Sequence, residues 1–161
     1  MSARRRSGKA VSGERSMETD LRSRISLAPG AEAVGLAVMI ADLIRQNLER
    51  APRKHADFQK LSASVSMEVP DADVTIMLEF SRGALLIHGG QHDGAHLHIR
   101  ADSTTLLALP LVRISAGLPN LFSPDSSALR NGLLSGGVRI GGMLRHPLRL
   151  VRFTRLISVN G

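Results

Sequence analysis

Apolar and polar residues alternate along the middle of the chain, between Leu61 and Leu109. Alternation with a period of two is typical of a strand that has one buried and one solvent-facing side. Four such runs are separated by short segments rich in Pro, Asp, Arg and Gly, which favour turns; they span residues 61–69, 74–80, 85–87 and 95–101. The pattern predicts four short strands in an antiparallel meander, with one apolar face that other elements must cover.

Helical periodicity precedes these predicted strands. Residues 31–50 carry apolar side chains at three- and four-residue steps, which predicts an amphipathic helix. Pro29-Gly30 comes before this segment and Pro52 ends it. Such a helix either packs on a core or lies on a membrane surface. Residues 53–60 are mostly polar, and we interpret them as a linker into the first strand.

The second half of the chain predicts further helices and one more strand. Asp102 is a good N-cap for a short helix over Ser103 to Leu109. After an apolar stretch without clear periodicity, Ser123-Pro124 favours the start of a helix that runs to about Leu134. Val138 and Ile140 alternate with an arginine in a fifth strand. A last helix is predicted from Leu144 to Ile157, with Pro147 tolerated only in its first turn.

Composition and charge narrow the function classes. The 161 residues include no cysteine, so disulfides and thiolate chemistry are excluded. The net charge of +7 is uneven: residues 1–24 have a net charge of +4, residues 25–125 of −3, and residues 126–161 of +6. We expect residues 1–24 to be a disordered basic tail and residues 25–161 to form a single domain.

The basic ends favour an anionic partner, either nucleic acid or a membrane surface, although a solvated tail with an Arg-lined helix explains them equally well. Four Phe and no Trp or Tyr leave little for base stacking, so a specific nucleic-acid partner is not expected. No stretch has the roughly 20 apolar residues that a membrane span needs. The chain also lacks a Gly-x-Ser-x-Gly nucleophile motif. We therefore expect a cytoplasmic protein, associated with membranes at most peripherally, that is not an enzyme.

A cluster of histidines is the main alternative. His96 and His98 stand two residues apart on a predicted strand, so both point to the same face. With His88 on the preceding predicted strand, they could bind zinc or nickel. Surface histidines on the solvent-facing side of the sheet would produce the same pattern. A histidine-cluster metal protein therefore stays open as an alternative.

Three local patterns resemble the sterol-carrier-protein type of lipid-binding domain. The segment Val74 to Ile87 resembles the family's strand, glycine-containing turn and strand. The segment Ala95 to Leu107 is similar to its strand and aspartate-capped helix with paired leucines. The segment Leu133 to Gly142 resembles its helix end, glycine, basic–apolar strand and closing glycine. Together with the order of the other elements, the resemblance covers roughly residues 55 to 158.

The resemblance implies an α+β fold: a five-stranded, mostly antiparallel sheet with helices on one face and an apolar tunnel between them. It implies binding and transfer or presentation of a lipid (a sterol, an acyl chain or an isoprenoid) with no chemistry performed and no cofactor. Small bacterial accessory factors of ubiquinone biosynthesis have a similar layout, so an accessory role beside biosynthetic enzymes is the alternative within the family.

A tunnel for a long apolar ligand needs a dry cavity and few polar contacts. The apolar residues that we expect to line it are Leu106, Leu107, Leu118, Leu121, Phe122, Leu129, Leu133, Leu148, Val151 and Phe153. The arginines aligned on the last helix could dock the mouth of the tunnel on anionic lipid headgroups; they are Arg145, Arg149 and Arg152.

Overall fold

The computed structural model of the chain describes residues 20, 23–108, 114–115, 118–119, 138–142 and 144–158. The helices are α1 (Gly35–Arg50), α2 (Arg53–Lys60), α3 (Ser103–Ala108) and α4 (Pro147–Ile157). The strands are β1 (Ile25–Leu27), β2 (Ser62–Val69), β3 (Val74–Ser81), β4 (Leu85–Gly89), β5 (Leu97–Ala101), β6 (Ile114–Ser115), β7 (Leu118–Pro119) and β8 (Val138–Gly141). Short 3-10 turns precede α1 and connect β2 to β3.

The four runs of alternating residues form strands, as predicted. β2 pairs antiparallel with β3 from Ser62 opposite Ser81 to Val69 opposite Val74, and β3 pairs antiparallel with β4. The turn between β3 and β4 places Gly83 at φ 91°, where a glycine avoids the strain that a side chain would cause. These strands are the first three of the four that the predicted meander contains.

The predicted strand order was wrong beyond the meander. β5 pairs parallel with β2, and the order across the sheet is β1-β4-β3-β2-β5-β8. The described sheet therefore has six strands in a mixed arrangement, where five mostly antiparallel strands were expected. β8 is the predicted fifth strand, antiparallel to β5. The unpredicted sixth, β1, has three residues and pairs parallel with β4, so its own alternation is too short to identify it.

Among the described residues, three of the four helices agree with the sequence. α1 lies where the amphipathic period predicts it, α3 is capped by Asp102, and α4 begins at Pro147, later than predicted but with proline at a first-turn position. Residues 53–60 are a helix and not a linker. Its polar composition hides it, because its buried residues are Phe58 and Lys54, whose ammonium group bonds to the carbonyl of Ser158.

One apolar core lies between the inner face of the sheet and the helices. The buried residues of β2, including Val65 and Met67, belong to the same cluster as Ile44 and Leu48 of α1 and Phe153 of α4. The alternate residues of β2 are serines and a glutamate on the outer face, where they are exposed or half-buried. The inner face therefore carries the apolar content, as the period of two predicts.

Two predictions lie mostly or wholly outside the described residues. The basic tail of residues 1–24 is described only at 20 and 23–24, and the helix predicted over Ser123 to Leu134 is not described. Within the apolar stretch that follows α3, β6 and β7 pair with each other antiparallel.

Candidate functional site

An apolar cleft of about 290 Å³ lies where the first turns of α1 approach the sheet. Its walls come from the start of α1, the end of β2, the turn into β3, and α3. The residues that line it are Gly35, Leu36, Met39, Val69, Ala72, Val74, Ser103 and Leu106. Seven of these eight residues have no polar side-chain atom, so the cleft suits a hydrocarbon.

Small residues keep this cleft open. A Cβ added at Gly35 would meet no atom within 4 Å, so the helix presents bare backbone to the space. Across the cleft, the 3-10 turn contributes Ala72, whose side chain is a single methyl group. The aromatic side chains described in the structure, Phe58, Phe80 and Phe153, pack elsewhere. The cleft therefore exists because some of the residues around it are small, and not because the backbone is distorted.

Two aspartates fix the position of α3, which forms one wall of the cleft. Asp71 accepts a hydrogen bond of 2.5 Å from the Ser103 hydroxyl and bonds of 3.0 and 3.2 Å from the Ser103 backbone N–H. These bonds lower the pKa of Asp71, led by the one from the side chain of Ser103. Asp102 caps α3 by accepting a bond of 2.6 Å from the Thr105 N–H. The turn that carries Ala72 is thereby fastened to the start of α3.

The predicted lining residues are dispersed. Leu106 lines the cleft and is 6% exposed. Phe153 lies in the filled core, with its ring centroid 5.9 Å from that of Phe80. Val151 is half-buried on α4, and Leu148 is 69% exposed.

The other predicted lining residues have no described side chain. For two of them, Leu107 and Leu118, the structure describes the backbone alone. The remainder lie outside the described residues: Leu121, Phe122, Leu129 and Leu133.

Sequence reasoning missed most of the lining. Leu36 belongs to the apolar positions of the helix predicted over residues 31–50, and Val69 and Val74 belong to the alternating runs 61–69 and 74–80, so the patterns mark these residues as apolar without marking a cleft. Nothing in a period of two or 3.6 distinguishes an apolar residue that touches a neighbour from one that faces a cleft. Gly35 and Ala72 carry no such signal either, because only the tertiary structure brings them to the same cleft.

The three aligned arginines lie near the start of α4 or along it. Arg145 is exposed and precedes the helix, and Arg149 places a guanidinium nitrogen 3.5 Å from Nδ1 of His146. Arg152 donates a bond of 3.3 Å to the backbone carbonyl of Lys60. In the described part of the chain, no helix is both long and apolar enough to cross a membrane.

The histidines do not converge. His88 lies on β4, and β3 and β2 separate it from β5, which carries His98. At about 4.8 Å per strand, the two are roughly 14 Å apart, too far to share a metal ion. The expectation that β4 and β5 are neighbours was wrong. Among the described residues, no group of three His, Asp or Glu could hold a metal ion.

His96 instead has a structural contact. Its Nδ1 accepts a bond of 3.0 Å from the Ser64 backbone N–H, so the ring is neutral with its proton on Nε2. Burial lowers its pKa, with smaller contributions from the charges of Arg149 and His146.

Comparisons with known proteins point to one fold. No family model and no curated protein sequence matches the chain. Among solved structures, the UbiJ-SCP2 ubiquinone synthesis protein is similar with a TM-score of 0.55 and 18% identity, over 81% of this chain and 98% of that one. A crystal structure of sterol carrier protein 2 is similar with a TM-score of 0.45 and 17% identity, over 74% and 91%. The first likeness, together with the order of helices and strands, shows that this chain has the fold of the sterol-carrier-protein type of domain.

Proposed function

We propose that the protein binds an apolar lipid in the cleft between α1 and α3 and carries or presents it without performing chemistry on it. The ligand class is a sterol, an acyl chain or an isoprenoid. The observation that carries the proposal is the cleft itself: about 290 Å³, lined by aliphatic side chains at the edge of a well-packed core. The sterol-carrier-type fold is consistent with this use.

The energetics of such a site require few specific contacts. Each methylene removed from water contributes about 0.8 kcal/mol, so five buried methylenes contribute about 4 kcal/mol before ordering costs. The one polar lining residue, Ser103, already directs its hydroxyl to Asp71. The lining therefore selects for hydrocarbon and leaves any polar headgroup in water.

The cleft volume is at the lower limit of ordinary ligand sites, which run from about 300 to 1,000 Å³. It accommodates a short chain or one end of a longer ligand. We propose that the apolar residues following Leu106 extend the site into a tunnel, with further ligand contacts at Leu107, Leu118, Leu121, Phe122, Leu129 and Leu133.

An accessory role in ubiquinone biosynthesis is the second candidate. The similar solved structure at a TM-score of 0.55 is a ubiquinone synthesis protein, and this chain covers 98% of it. In that role the same cleft would hold an isoprenoid intermediate for soluble enzymes. Affinity purification of the tagged full chain would retrieve ubiquinone-biosynthesis enzymes if this is its function, and would retrieve none if it acts as a free lipid carrier.

Ligand binding is tested with delipidated full-length protein and the fluorescent fatty acid 11-(dansylamino)undecanoic acid. We expect enhanced, blue-shifted emission on titration, because the dansyl group enters an apolar site. Gly35→Phe should weaken this binding about ten-fold or more, because the ring occupies space that no atom fills at present.

Gly35→Ala is the matched control, since its Cβ meets nothing within 4 Å and should leave the cleft open. Leu144→Trp adds aromatic bulk at a position that is 94% exposed and should also leave binding intact. Absence of any emission change with the wild-type protein would overturn the proposal. Equal probe affinity in Gly35→Phe and Gly35→Ala would place the ligand elsewhere.

A further inference from the structure

Two leucines at the start of α4 are in contact with water. Leu144 is 94% exposed and Leu148 is 69% exposed. Among the described residues, the one other large hydrophobic side chain with more than a third of its surface exposed is Met39, which lines the cleft. Leu144 lies in the turn that precedes α4 and Leu148 in the first turn of the helix, and neither contributes to a described cavity. Both are apolar surface that a binding partner could bury.

Basic side chains surround these two leucines. Arg145 and Arg149 follow them directly in the sequence, and residues 138–158 include no acidic residue. Arg152, one turn further along α4, bonds to the backbone carbonyl of Lys60 and so lies beside another basic residue. Arg155 forms an ion pair with Asp57, at an N–O distance of 3.9 Å. The leucines and Arg145, Arg149 and Arg152 together are named the α4 patch.

The α4 patch lies at the end of β2 away from the cleft. Gly142 packs against the backbone of His96, whose N–H donates a hydrogen bond to the carbonyl of Ser64 near the start of β2. The cleft is lined by Val69, at the other end of the strand. The eight residues of β2 span about 23 Å at 3.3 Å per residue. The arginines therefore lie away from the described cleft, and their predicted place at a tunnel mouth stays a prediction.

The segment that carries the α4 patch is basic. Residues 138–158 contain five arginines and no acidic residue. The acidic residues at this end of β2 include Asp57, 3.9 Å from Arg155, and Glu79, which lies opposite Ser64 on the outer face of the sheet. A basic segment of this kind favours contact with an anionic surface.

We propose that the α4 patch is a docking surface for an anionic lipid bilayer. The two leucines would enter the boundary between headgroups and acyl chains, while the arginines bind lipid phosphates. An anionic bilayer is favoured over a protein partner because arginines flank the leucines in the sequence, residues 138–158 contain no acidic residue, and a bilayer binds without a shape-matched recess. The proposal does not depend on what occupies the cleft.

The test is vesicle sedimentation of the full chain. We compare phosphatidylcholine vesicles with vesicles that contain one-third phosphatidylglycerol, at low and high ionic strength. Binding should require the anionic lipid and weaken with salt. Arg145→Gln combined with Arg149→Gln should reduce partitioning about five-fold for each charge removed. Leu144→Asn combined with Leu148→Asn should reduce it about ten-fold or more.

Arg139→Gln is the control for each single charge, because Arg139 is exposed on β8 and its loss removes one positive charge outside the patch. It should change partitioning less than two-fold. Since the basic residues of the N-terminal segment remain in every variant, they cannot produce a difference between variants. No binding to anionic vesicles, equal binding to neutral vesicles, or equal effects of Arg139→Gln and the patch substitutions would each overturn the proposal.

Circular dichroism before sedimentation checks that each variant is folded. Failure of the docking proposal leaves the ligand proposal intact, because the dansyl-acid titration is carried out without membranes. Conversely, Gly35→Phe should bind anionic vesicles as the wild-type protein does.

Discussion

The space between the helices and the sheet is filled at one end and open at the other. At the filled end, the rings of Phe58, Phe80 and Phe153 meet edge to face at centroid distances of 6.4 and 5.9 Å. At the open end, the same sheet face and the same helix α1 enclose the cleft between Gly35 and Ala72. Both ends are apolar, so the difference is one of side-chain volume. A binding site can thus arise from size alone, without any new polar chemistry.

The two ends are also held differently. At the filled end, the side chain of Asn47 donates a buried hydrogen bond of 2.8 Å to the carbonyl of Leu156, joining α1 to α4. At the open end, the exposed carboxylate of Asp71 bonds to Ser103. We therefore expect substitutions at the filled end to affect mainly the free energy of unfolding, and substitutions at the open end to affect mainly ligand affinity.

The largest effect on stability is expected from Phe80→Ala. Phe80 is 3% exposed and contacts both other rings, so its removal leaves a cavity that costs about 3–5 kcal/mol. Chemical denaturation measures this loss. Val74→Ala, at the open end and half-buried, should cost about 1 kcal/mol. Equal losses at the two positions would contradict the distinction between a filled and an open end.

Asn47→Ala should cost about 1–3 kcal/mol. Asn47 is 3% exposed, and its loss leaves the Leu156 carbonyl without that side-chain donor. Because Asn47 lies away from the cleft, the variant should bind the dansyl acid with wild-type affinity at a temperature where it is folded. A substantial loss of probe affinity would show that the two ends are coupled.

Asp102→Ala should cost about 1 kcal/mol, the usual value for loss of an N-cap. Although this is a smaller loss than for Asn47→Ala, we expect weaker probe binding, because α3 supplies Ser103 and Leu106 to the cleft. Asp102→Asn retains a capping oxygen and is the control. If Asp102→Ala binds the probe normally, the position of α3 does not determine the site.

The smallest effect is a pH dependence at His96, at the end of β2 away from the cleft. Its pKa in the folded protein lies below the ordinary value of 6.5, so the unfolded chain binds more protons in the window below pH 6.5. The free energy of unfolding should therefore be fully retained above pH 6.5 and decrease as the pH falls through the lowered pKa.

The His96→Asn variant should show a flatter profile in urea denaturation between pH 7 and pH 5. The pKa of Asp71, at the cleft end, is lowered from 3.8, so its contribution is lost only at still lower pH. An unchanged profile in His96→Asn would show that other groups set the pH dependence in this window.

The sequence predicted local elements well because their signals are local. The period of two in β2 and β3, the cap at Asp102 and the first-turn position of Pro147 each involve neighbours in the chain. The parallel pairing of β5 with β2 was not predictable in this way. It joins Val65 to Leu97, 32 residues apart, and alternation does not specify a partner strand.

The cleft was predicted only in part for a related reason. Leu106 was expected to contact ligand, but Gly35 and Ala72 were not, because a residue that leaves space has no positive signal in a hydrophobic pattern. Phe153 has the composition expected of a lining residue, yet it is packed against Phe80. Whether an apolar side chain fills a space or borders it depends on the element opposite, which only the tertiary structure supplies.

The cleft and Leu148 lie toward opposite ends of β2, and this separation affects how a ligand could pass between a bilayer and the cleft. A bilayer bound at the start of α4 would lie about one length of β2 from the described cleft. A ligand extracted from that bilayer would not pass directly into the described cleft. The protein would have to dissociate and reorient between extraction and delivery of the ligand. Such an orientation favours delivery of the ligand to another protein in solution over its return to the same leaflet.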